Sequence, residues 1–452
     1  MESGCLMKGE IMKYLVKNAA VVDLDDLHTD DLDILIEDGV FRKIGKDIGC
    51  EGCEVIDAKG MLALPGFIDC HTHMAQSFIK GPLDDIPITD WLVKLFAIDA
   101  QMDEETYYYA TLLGCLQSLR FGTTCVNEMG DAAHIDEQVR AFEDSGIRTT
   151  YGVSTTDVPE NEATPILSIK EALEIHQKVY DTAHGRNNGL IRASVAPAGL
   201  PAVSRELAQA CKKFADEHGI IYHTHLGEGK YETDNVAKAY GLNGEGEALY
   251  EIGVLDKNVL LVHSIWLSDH EIDLIKEKGA HPVHCPNTNL KISDGVPKIA
   301  QMLQKGVNVC IGCDGEASSS NRDMIREARI GSYLQKGVTL DPTVMDVSTT
   351  LKMMTINGAK ALGYDDLGLI KEGYQADMIL VDMDHDLGLT DLDHRVGNLL
   401  YCGDGHQVDT VFVGGQLKLR NKKLVDFDEE EILDKCNSLI HKLNVGIGEV
   451  KE

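Results

Sequence analysis

The sequence is short of positive charge. Its 42 lysines and arginines are opposed by 74 aspartates and glutamates, which gives a formal net charge of −32. The electrostatic field of such a surface repels phosphate backbones and anionic lipid headgroups. We therefore expect that neither a nucleic acid nor a membrane is among the partners of this protein.

Long hydrophobic runs are also missing. No window reaches the roughly 18 apolar residues that a membrane helix needs, and the N-terminal stretch "MESGCLMKGEIMKYL" has no apolar core of signal-peptide length. We expect a cytoplasmic protein whose residues 1–10 are disordered. Without a secretion signal, the 12 cysteines are interpreted as reduced thiols rather than as a disulfide framework.

Two Cys-x-x-Cys spacings raise the question of a four-thiolate zinc site. Cys50 and Cys53 lie in a polar segment, whereas Cys310 and Cys313 lie in an apolar run that is typical of a strand. Neighbouring positions of a strand point to opposite faces, which is unsuitable for two thiolates that share one ion. We expect no structural metal at these cysteines.

Proline is scarce as well, with 11 residues among 452, and there is no low-complexity tract or solenoid repeat. The content of 43% apolar and 26% charged residues is that of a globular protein rather than a fibrous or disordered one. The length permits either one large barrel with additions or two to three modules.

Short apolar runs alternate with amphipathic helical patterns through the middle of the chain. Several helical patterns end on glycine after lysine or histidine, as helix C-termini do. The eight apolar runs cover residues 66–71, 123–128, 148–153, 191–197, 220–225, 259–264, 280–285 and 307–314. Eight strand–helix units predict an α/β protein with a (β/α)8 TIM barrel over residues 65–373.

Both ends of the chain have a different pattern. Residues 11–64 and 374–425 contain short β-type runs that are interrupted by glycine and aspartate. We predict that these two segments together build one small β-sandwich, and that residues 426–452 form a C-terminal helix.

Metal-binding residue types occur at the ends of the predicted barrel strands, where barrel enzymes carry out their chemistry. One histidine at a strand end is usually structural, but the chain has only 17 histidines, and several fall at this position. The residues are His71, His73, His225, His263, His284 and Asp314. Imidazole plus carboxylate is the ligand set of catalytic zinc or ferrous iron, so we predict one such metal site.

A further carboxylate follows the fifth predicted strand. Glu228 lies three residues beyond His225 and reaches the loop above the barrel. A carboxylate beside a metal-activated water can take up a proton and pass it to a leaving group, so Glu228 is our candidate general acid/base. The fourth strand, "IRASVAPAG", has no lysine to bridge two metals, which favours a single ion.

These motifs resemble the mononuclear branch of the amidohydrolase superfamily, which contains S-adenosylhomocysteine/methylthioadenosine deaminases, guanine-type deaminases and s-triazine hydrolases. The resemblance rests on "GFIDCHTH", "HTHLGE", "LVHSIWLS", "IGCDGEASSSNRDM" and "KEGYQADMILVD". It implies that His71, His73, His225 and Asp314 are the metal ligands. It also implies that Glu228 is the proton shuttle, that His263 orients the attacking water and that Asp314 acts as a second base.

The same resemblance suggests four residues that contact substrate. Gln76 and Trp91 belong to the segment "HTHMAQSFIKGPLDDIPITDWL", and His284 and Asn289 belong to "HCPNTNLKISDG". The first segment is similar to the one that forms the pocket wall in adenosine-type deaminases, and the second is similar to the family's seventh-strand loop.

Two positions depart from the adenosine-type pattern. Ala100, with Asp99 beside it, stands where those enzymes carry a ribose-binding glutamate, and residues 195–198 read Val-Ala-Pro-Ala instead of His-x-Pro-Tyr. These departures leave a free heterocycle or an unusual substrate open.

The expected function is metal-dependent hydrolytic deamination of a small amino-substituted aromatic N-heterocycle, of purine, adenosine, guanine, pterin or triazine type. One alternative keeps the site but changes the leaving group to chloride or an alkylamine, or opens a cyclic amide. A second alternative is a non-catalytic metal-binding scaffold that has kept the barrel. The resemblance also implies a homodimer.

Overall fold

The computed structural model describes residues 13–159, 164–389 and 393–443. The expectation for residues 1–10 therefore lies outside the described residues. The strands are β1 Tyr14–Val22, β2 Thr29–Glu37, β3 Val40–Gly45, β4 Glu54–Asp57, β5 Met61–Pro65, β6 Phe67–Thr72, β7 Thr123–Gly130, β8 Arg148–Thr155, β9 Ile191–Ala193, β10 Ala196–Pro197, β11 Tyr222–Leu226, β12 Val259–His263, β13 His281–His284, β14 Cys310–Ile311, β15 Met378–Asp382, β16 Val408–Val413, β17 Gln416–Arg420 and β18 Lys423–Leu424.

The α-helices lie mostly between the barrel strands and carry the sequence signals that start and stop helices. They are α1 Ile88–Asp99, α2 Glu104–Arg120, α3 Ile135–Ser145, α4 Ile169–Ala183, α5 Arg205–His218, α6 Lys230–Tyr240, α7 Glu245–Glu251, α8 Asp269–Lys278, α9 Pro286–Lys291, α10 Ile299–Gln304, α11 Glu316–Ser319, α12 Met324–Thr339, α13 Val347–Met353, α14 Ile356–Ala361, α15 Arg395–Cys402 and α16 Glu429–Ile440.

The barrel consists of β6 to β14, and all eight apolar runs of the sequence form its strands. Its strands pair in parallel within two sheets, β6 to β10 and β11 to β14. A parallel bridge between Val195 and Tyr222 joins the two sheets on one side. On the other side, the Asp314 backbone N–H donates to the His71 carbonyl oxygen at 2.8 Å. The predicted TIM barrel is thus confirmed.

The fourth barrel strand is broken into β9 and β10. Ser194 and Val195 lie between the two pieces, and Val195 pairs with the next strand along the barrel instead of continuing the ladder with β8. The other strands are buried on both faces, which explains why they read as continuous apolar runs.

The caps of the helices agree with the sequence signals. Before α8, the Ser268 side chain accepts the backbone N–H of Glu271 at 3.2 Å, and the Glu271 carboxylate accepts the backbone N–H of Ser268. The helix ends at Gly279, whose φ of 74° is unstrained only for glycine. The left-handed glycine thus ends α8 and returns the chain to the barrel.

Strands from the two chain ends share one nine-stranded sheet. The order is β18-β17-β16-β15-β5-β1-β2-β3, and β4 pairs with β1. The antiparallel pairing of β15 with β5 joins the N-terminal strands to the C-terminal ones. The two-layer sandwich itself stays a prediction. Within the described residues, the C-terminal segment contains α16.

Cys50 and Cys53 form a disulfide, with Cα atoms 5.8 Å apart. The prediction of reduced thiols is wrong for this pair, because the polar loop between β3 and β4 brings the two Cα atoms within the range that a disulfide spans. Cys310 and Cys313 are free and buried in the barrel. Among the described helices, none is both long and apolar enough to cross a bilayer.

Candidate active site

Metal-binding side chains from four parts of the barrel meet at its rim. His71 and His73 come from the end of β6, His225 from β11, His263 from β12, and Asp314 follows β14. The ligating atoms of His71, His73 and Asp314 lie within 4.8 Å of one another, and so do those of His71, His225 and His263. The two groups share His71, so the side chains form one cluster.

Hydrogen bonds orient the imidazoles toward the centre of this cluster. Nδ1 of His73 lies 2.7 Å from the Met129 carbonyl oxygen, and Nδ1 of His225 lies 2.6 Å from that of Ala198. A carbonyl oxygen only accepts, so each Nδ1 carries the proton and each Nε2 keeps its lone pair. The Nε2 atom of His73 lies 3.5 Å from Asp314 Oδ1.

His71 is held by a residue that the sequence analysis did not assign. Its Nδ1 lies 2.9 Å from Nε2 of His223, and its Nε2 lies 3.3 Å from Asp314 Oδ1. His223 and His225 are two apart on β11, the same spacing as His71 and His73. This spacing places both side chains on one face of the strand. It is the sequence pattern from which His223 could have been predicted as a site residue.

The protonation states suit a cation. Burial lowers the pKa of His71, His73 and His263, and it lowers that of His225 to about 4. Burial alone would raise the pKa of Asp314, but its hydrogen bond with His71 and its electrostatic interactions with the neighbouring histidines hold that pKa well below its usual range. Neutral imidazoles around an ionised carboxylate are the forms that bind divalent metals.

Two site residues have a left-handed backbone. The φ angles are 67° at His263 and 62° at Asp314, a conformation that costs energy for a residue with a Cβ. Local hydrogen bonds support both: Ser264 Oγ donates to the Leu261 carbonyl, and the Gly315 N–H donates to Asp314 Oδ1. The strands thus end in abrupt turns that aim both side chains at the cluster.

Glu228, His263 and Asn289 form a chain of polar contacts beside the cluster. Glu228 Oε1 lies 3.3 Å from His263 Nε2, and His263 Nδ1 lies 2.9 Å from Asn289 Oδ1. The structure therefore places Asn289 behind His263, where it holds the ring, and not at the cavity wall as a substrate contact. The reason is that α9 sets the Asn289 side chain against β12.

His284 also differs from its predicted position. It is fully buried, its pKa is lowered to about 3 by burial, and neither ring nitrogen has a hydrogen-bond partner among the described residues. Its ring packs against Gly331 of α12, on the outer side of the barrel. Side chains alternate along β13, so His284 faces outward here rather than toward a substrate.

A cavity of about 840 Å³ opens above the cluster. Gln76 and Trp91, both predicted from the resemblance, lie on its wall together with Glu228. Asp99 also lines the cavity, whereas its neighbour Ala100 is exposed. The size is in the range of small-molecule sites and leaves room beyond a single heterocyclic ring.

A (β/α)8 barrel whose rim gathers neutral histidines, an ionised aspartate and a neighbouring glutamate is the architecture of a metal-dependent hydrolase. The Amidohydrolase family model matches residues 62–418. The chain belongs to the amidohydrolase family.

Two relatives named as deaminases of adenosine derivatives match nearly the whole chain. A 5-methylthioadenosine/S-adenosylhomocysteine deaminase of Pyrococcus furiosus is 34% identical over 427 residues, which is 94% of this chain and 100% of the relative. A 5′-deoxyadenosine deaminase of Methanobrevibacter smithii is 32% identical, with 95% and 98% covered. The solved adenosine deaminase of Xanthomonas campestris with bound zinc has a TM-score of 0.88 at 28% identity, with 96% and 98% covered.

These comparisons confirm the resemblance and the prediction of a hydrolytic deaminase. The family and the cluster of histidines with Asp314 also confirm that the enzyme uses a divalent metal.

Proposed function

We propose that this enzyme deaminates the adenine ring of an adenosine-type nucleoside. The observation that carries the proposal is Glu228, which lines the cavity 3.3 Å from His263 and beside the metal-binding cluster. The relatives named for methylthioadenosine and 5′-deoxyadenosine support the adenine ring as the reacting group.

We further propose that His71, His73, His225 and Asp314 hold one zinc ion. The set of three imidazoles and one carboxylate suits zinc, with ferrous iron as the alternative that the same donors accept. The fit is supported by Nδ1 of His73 and His225, each bonded to a carbonyl oxygen, which leaves Nε2 for the ion. When bound, such an ion supplies the Lewis acidity that makes water nucleophilic near neutral pH.

The side chains around the cavity divide the proton transfers of the reaction among them. His263 and Asp314 orient the attacking water, and Glu228 takes one of its two protons. The water oxygen bonds to the ring carbon that carries the amino group, while Glu228 delivers the proton to the adjacent ring nitrogen. The carbon–nitrogen bond then breaks, the amino group leaves as ammonia with a second proton of the water, and a ring carbonyl remains.

Gln76 and Trp91 are the candidates for contact with the substrate. Gln76 Oε1 and Trp91 Nε1 are buried and have no hydrogen-bond partner among the described residues, although both side chains line the cavity. A buried donor and a buried acceptor without partners cost free energy. A substrate with one acceptor and one donor at these positions would satisfy them.

The test is ammonia release from a panel of purine nucleosides, free purines, pterins and triazines, with the Glu228→Gln variant beside the wild type. We expect adenosine-type nucleosides to be the best substrates. Glu228→Gln should lower kcat by about 10² to 10⁴, because a positioned proton carrier typically contributes that much. Metal analysis of both proteins should give one ion per chain, mainly zinc.

Near-normal turnover by a fully metal-loaded Glu228→Gln protein would rule out the assigned proton shuttle. Chloride or alkylamine release from triazines at higher kcat/KM than ammonia release from nucleosides would replace the proposed reaction. Iron in place of zinc would correct the metal alone and leave the roles of the side chains unchanged.

We also propose a division of the chain into a sandwich of residues 11–64 and 374–425, a barrel of residues 65–373 and a C-terminal helix within 426–452. Tyr14 of β1 and Phe412 of β16 support the sandwich, because their ring centroids lie 5.1 Å apart although the two strands are not neighbours in the sheet. The homodimer and the cytoplasmic location stay predictions.

A further inference from the structure

One face of α1 forms a wall of the cavity. The residues on it recur every three or four positions, which is the spacing of one helix face. They are Ile88, Trp91, Leu92, Leu95, Phe96 and Asp99. Five of the six side chains are largely apolar, so the only charge that this face presents is the carboxylate at its C-terminal end.

That carboxylate has acidic surroundings. Asp99 is the last residue of α1, where the helix dipole is negative, and Asp131 lies close enough to repel it. Burial, with a smaller contribution from Asp131, raises the pKa of Asp99 to about 7. Among the described residues, no lysine or arginine lies within ion-pair distance of Asp99.

The whole cavity lacks positive side chains. Among the described residues that line it there is neither lysine nor arginine, and the histidines of the cluster are neutral. Seven carboxylates line it: Asp99, Glu128, Asp131, Glu228, Glu232, Glu245 and Asp314. Three cations next to lining residues have other partners: Lys230 pairs with Asp234, Arg205 lies over the ring of Tyr240, and Arg322 pairs with the buried Glu316.

Aromatic rings accompany the two aspartates. Trp91, Phe96 and Tyr107 line the same cavity as Asp99 and Asp131. Trp91 is only 7% exposed. Aromatic faces next to carboxylates attract ammonium and sulfonium groups through charge and through the ring quadrupole.

We infer that Trp91, Phe96, Asp99, Tyr107 and Asp131 form a subsite that binds a positively charged substituent of the nucleoside and excludes an anionic one. The inference rests on the proposed function, which identifies the reacting ring, and it further specifies the charge of the substituent that the sugar carries. An ammonium or sulfonium group on the 5′ side of the sugar is the ligand class that this subsite selects. A phosphate or carboxylate there would be desolvated among like charges without a counter-ion.

The experiment compares three nucleosides that differ only at the 5′ position: 5′-amino-5′-deoxyadenosine, 5′-deoxyadenosine and adenosine-5′-carboxylic acid. Ammonia release by the metal-loaded wild type should give kcat/KM at least about tenfold higher for the amine than for the neutral compound. The carboxylic acid should be at least about a hundredfold poorer than the neutral compound. Titration calorimetry on metal-loaded Glu228→Gln measures the affinities of the three compounds without turnover. The amine should bind most tightly and the carboxylic acid least tightly.

Asp99→Asn is the diagnostic variant, and Asp90→Asn is its matched control. Asp90 lies on the same helix, is exposed and does not line the cavity, so both changes alter the net charge equally. Asp99→Asn should reduce the ratio of kcat/KM for the amine to kcat/KM for 5′-deoxyadenosine to within about threefold. Asp90→Asn should preserve the preference.

Equal kcat/KM and equal affinity for the amine and the neutral compound in the wild type would overturn the inference. An equal loss on all three nucleosides in Asp99→Asn would also overturn it, because Asp99 would then bind the sugar shared by the three. Preferential binding of the amine without deamination of any nucleoside would refute the proposed function and retain the subsite.

Discussion

His263 shows how much of this site depends on a single hydrogen bond. Its Nδ1 lies 2.9 Å from Asn289 Oδ1, which sets the proton on Nδ1 and turns Nε2 toward Glu228 at 3.3 Å. The amide oxygen of Asn289 thereby selects the tautomer in which Nε2 can accept a proton. Asn289 is a positioning residue, since it acts through His263.

Asn289→Leu should lower kcat about 10- to 100-fold, because partners that orient an imidazole at a metal site typically contribute that much. Steady-state ammonia release measures the effect. Asn289→Asp keeps an acceptor for the His263 N–H and should restore part of kcat. A rise in KM with unchanged kcat would instead support a direct substrate contact at Asn289.

Residue positions at the rim were predictable because they follow strand ends, and strand ends follow from apolar runs. His71, His73, His225 and Asp314 meet in one cluster for that reason. The role of Asn289 and the outward direction of His284 were not predictable. They depend on short helices and on the phase of side-chain alternation, which the apolar runs alone do not specify.

Buried histidines away from the cluster make the fold sensitive to acid, and His176 on α4 is the clearest case. It is 1% exposed, its Nε2 lies 3.1 Å from Thr155 Oγ1, and burial lowers its pKa to about 4. In the unfolded chain its pKa is about 6.5. Its neutral form therefore favours the fold above about pH 6.5, and this contribution is lost as the pH falls toward 4.

His176→Leu should remove that pH dependence. The difference in unfolding free energy between variant and wild type should change by about 2 kcal/mol between pH 7 and pH 5, in favour of the variant at the lower pH. Urea unfolding of both proteins at the two pH values measures it. A difference that stays constant with pH would show that His176 is not held neutral.

At the scale of single elements, the start of α8 ties a helix to the strand that carries His263. Ser268 caps the helix through the Glu271 backbone N–H, and the buried Glu271 carboxylate also accepts the Gly246 N–H at 2.8 Å. Only four residues separate His263 from Ser268, so the cap limits the freedom of the loop after β12.

Ser268→Ala should lower the free energy of unfolding by about 1 kcal/mol, which is the usual cost of a lost N-cap, and should leave KM unchanged. Ser168→Ala is the matched control, because Ser168 and Glu171 make the same capping box at α4. Urea unfolding and steady-state kinetics measure both quantities. A larger loss of kcat for Ser268→Ala than for Ser168→Ala would show that the cap also positions His263.

The elements themselves were predictable to different degrees. α5 and α8 begin after Ser204 and Ser268 and end at Gly219 and Gly279, as their sequence signals indicate. The break between β9 and β10 was not predictable, because Ser194 and Val195 lie inside an apolar run that continues past them. Pairing with β11, a partner distant in sequence, decides that break.

At the scale of the whole molecule, one buried ion pair joins the barrel to the sheet built by the chain ends. Arg148 begins β8 and donates two hydrogen bonds to Asp377, at 3.0 and 2.7 Å. Asp377 precedes β15 and also accepts the Gly414 N–H at 2.7 Å. Both ionic side chains are at most 2% exposed, so neither charge has water as a substitute partner.

No local sequence pattern predicts this contact, because the two partners lie 229 positions apart in the chain. From the sequence alone, an arginine at the start of an apolar run is expected to be a solvent-exposed residue at the end of a strand. Only the closure of the barrel against the sheet buries it.

Arg148→Met should lower the free energy of unfolding by about 3 to 5 kcal/mol, since it leaves the Asp377 carboxylate buried without a counter-charge. Arg420→Met is the control: Arg420 pairs with Glu54 on the exposed face of the sheet and should cost at most about 1 kcal/mol. Adding Asp377→Leu to Arg148→Met should recover part of the loss, because the remaining charge is removed while the Gly414 N–H stays unsatisfied. Denaturant unfolding of the wild type and the three variants measures these differences. Equal losses of unfolding free energy for Arg148→Met and Arg420→Met would show that the buried ion pair does not stabilise the contact between barrel and sheet.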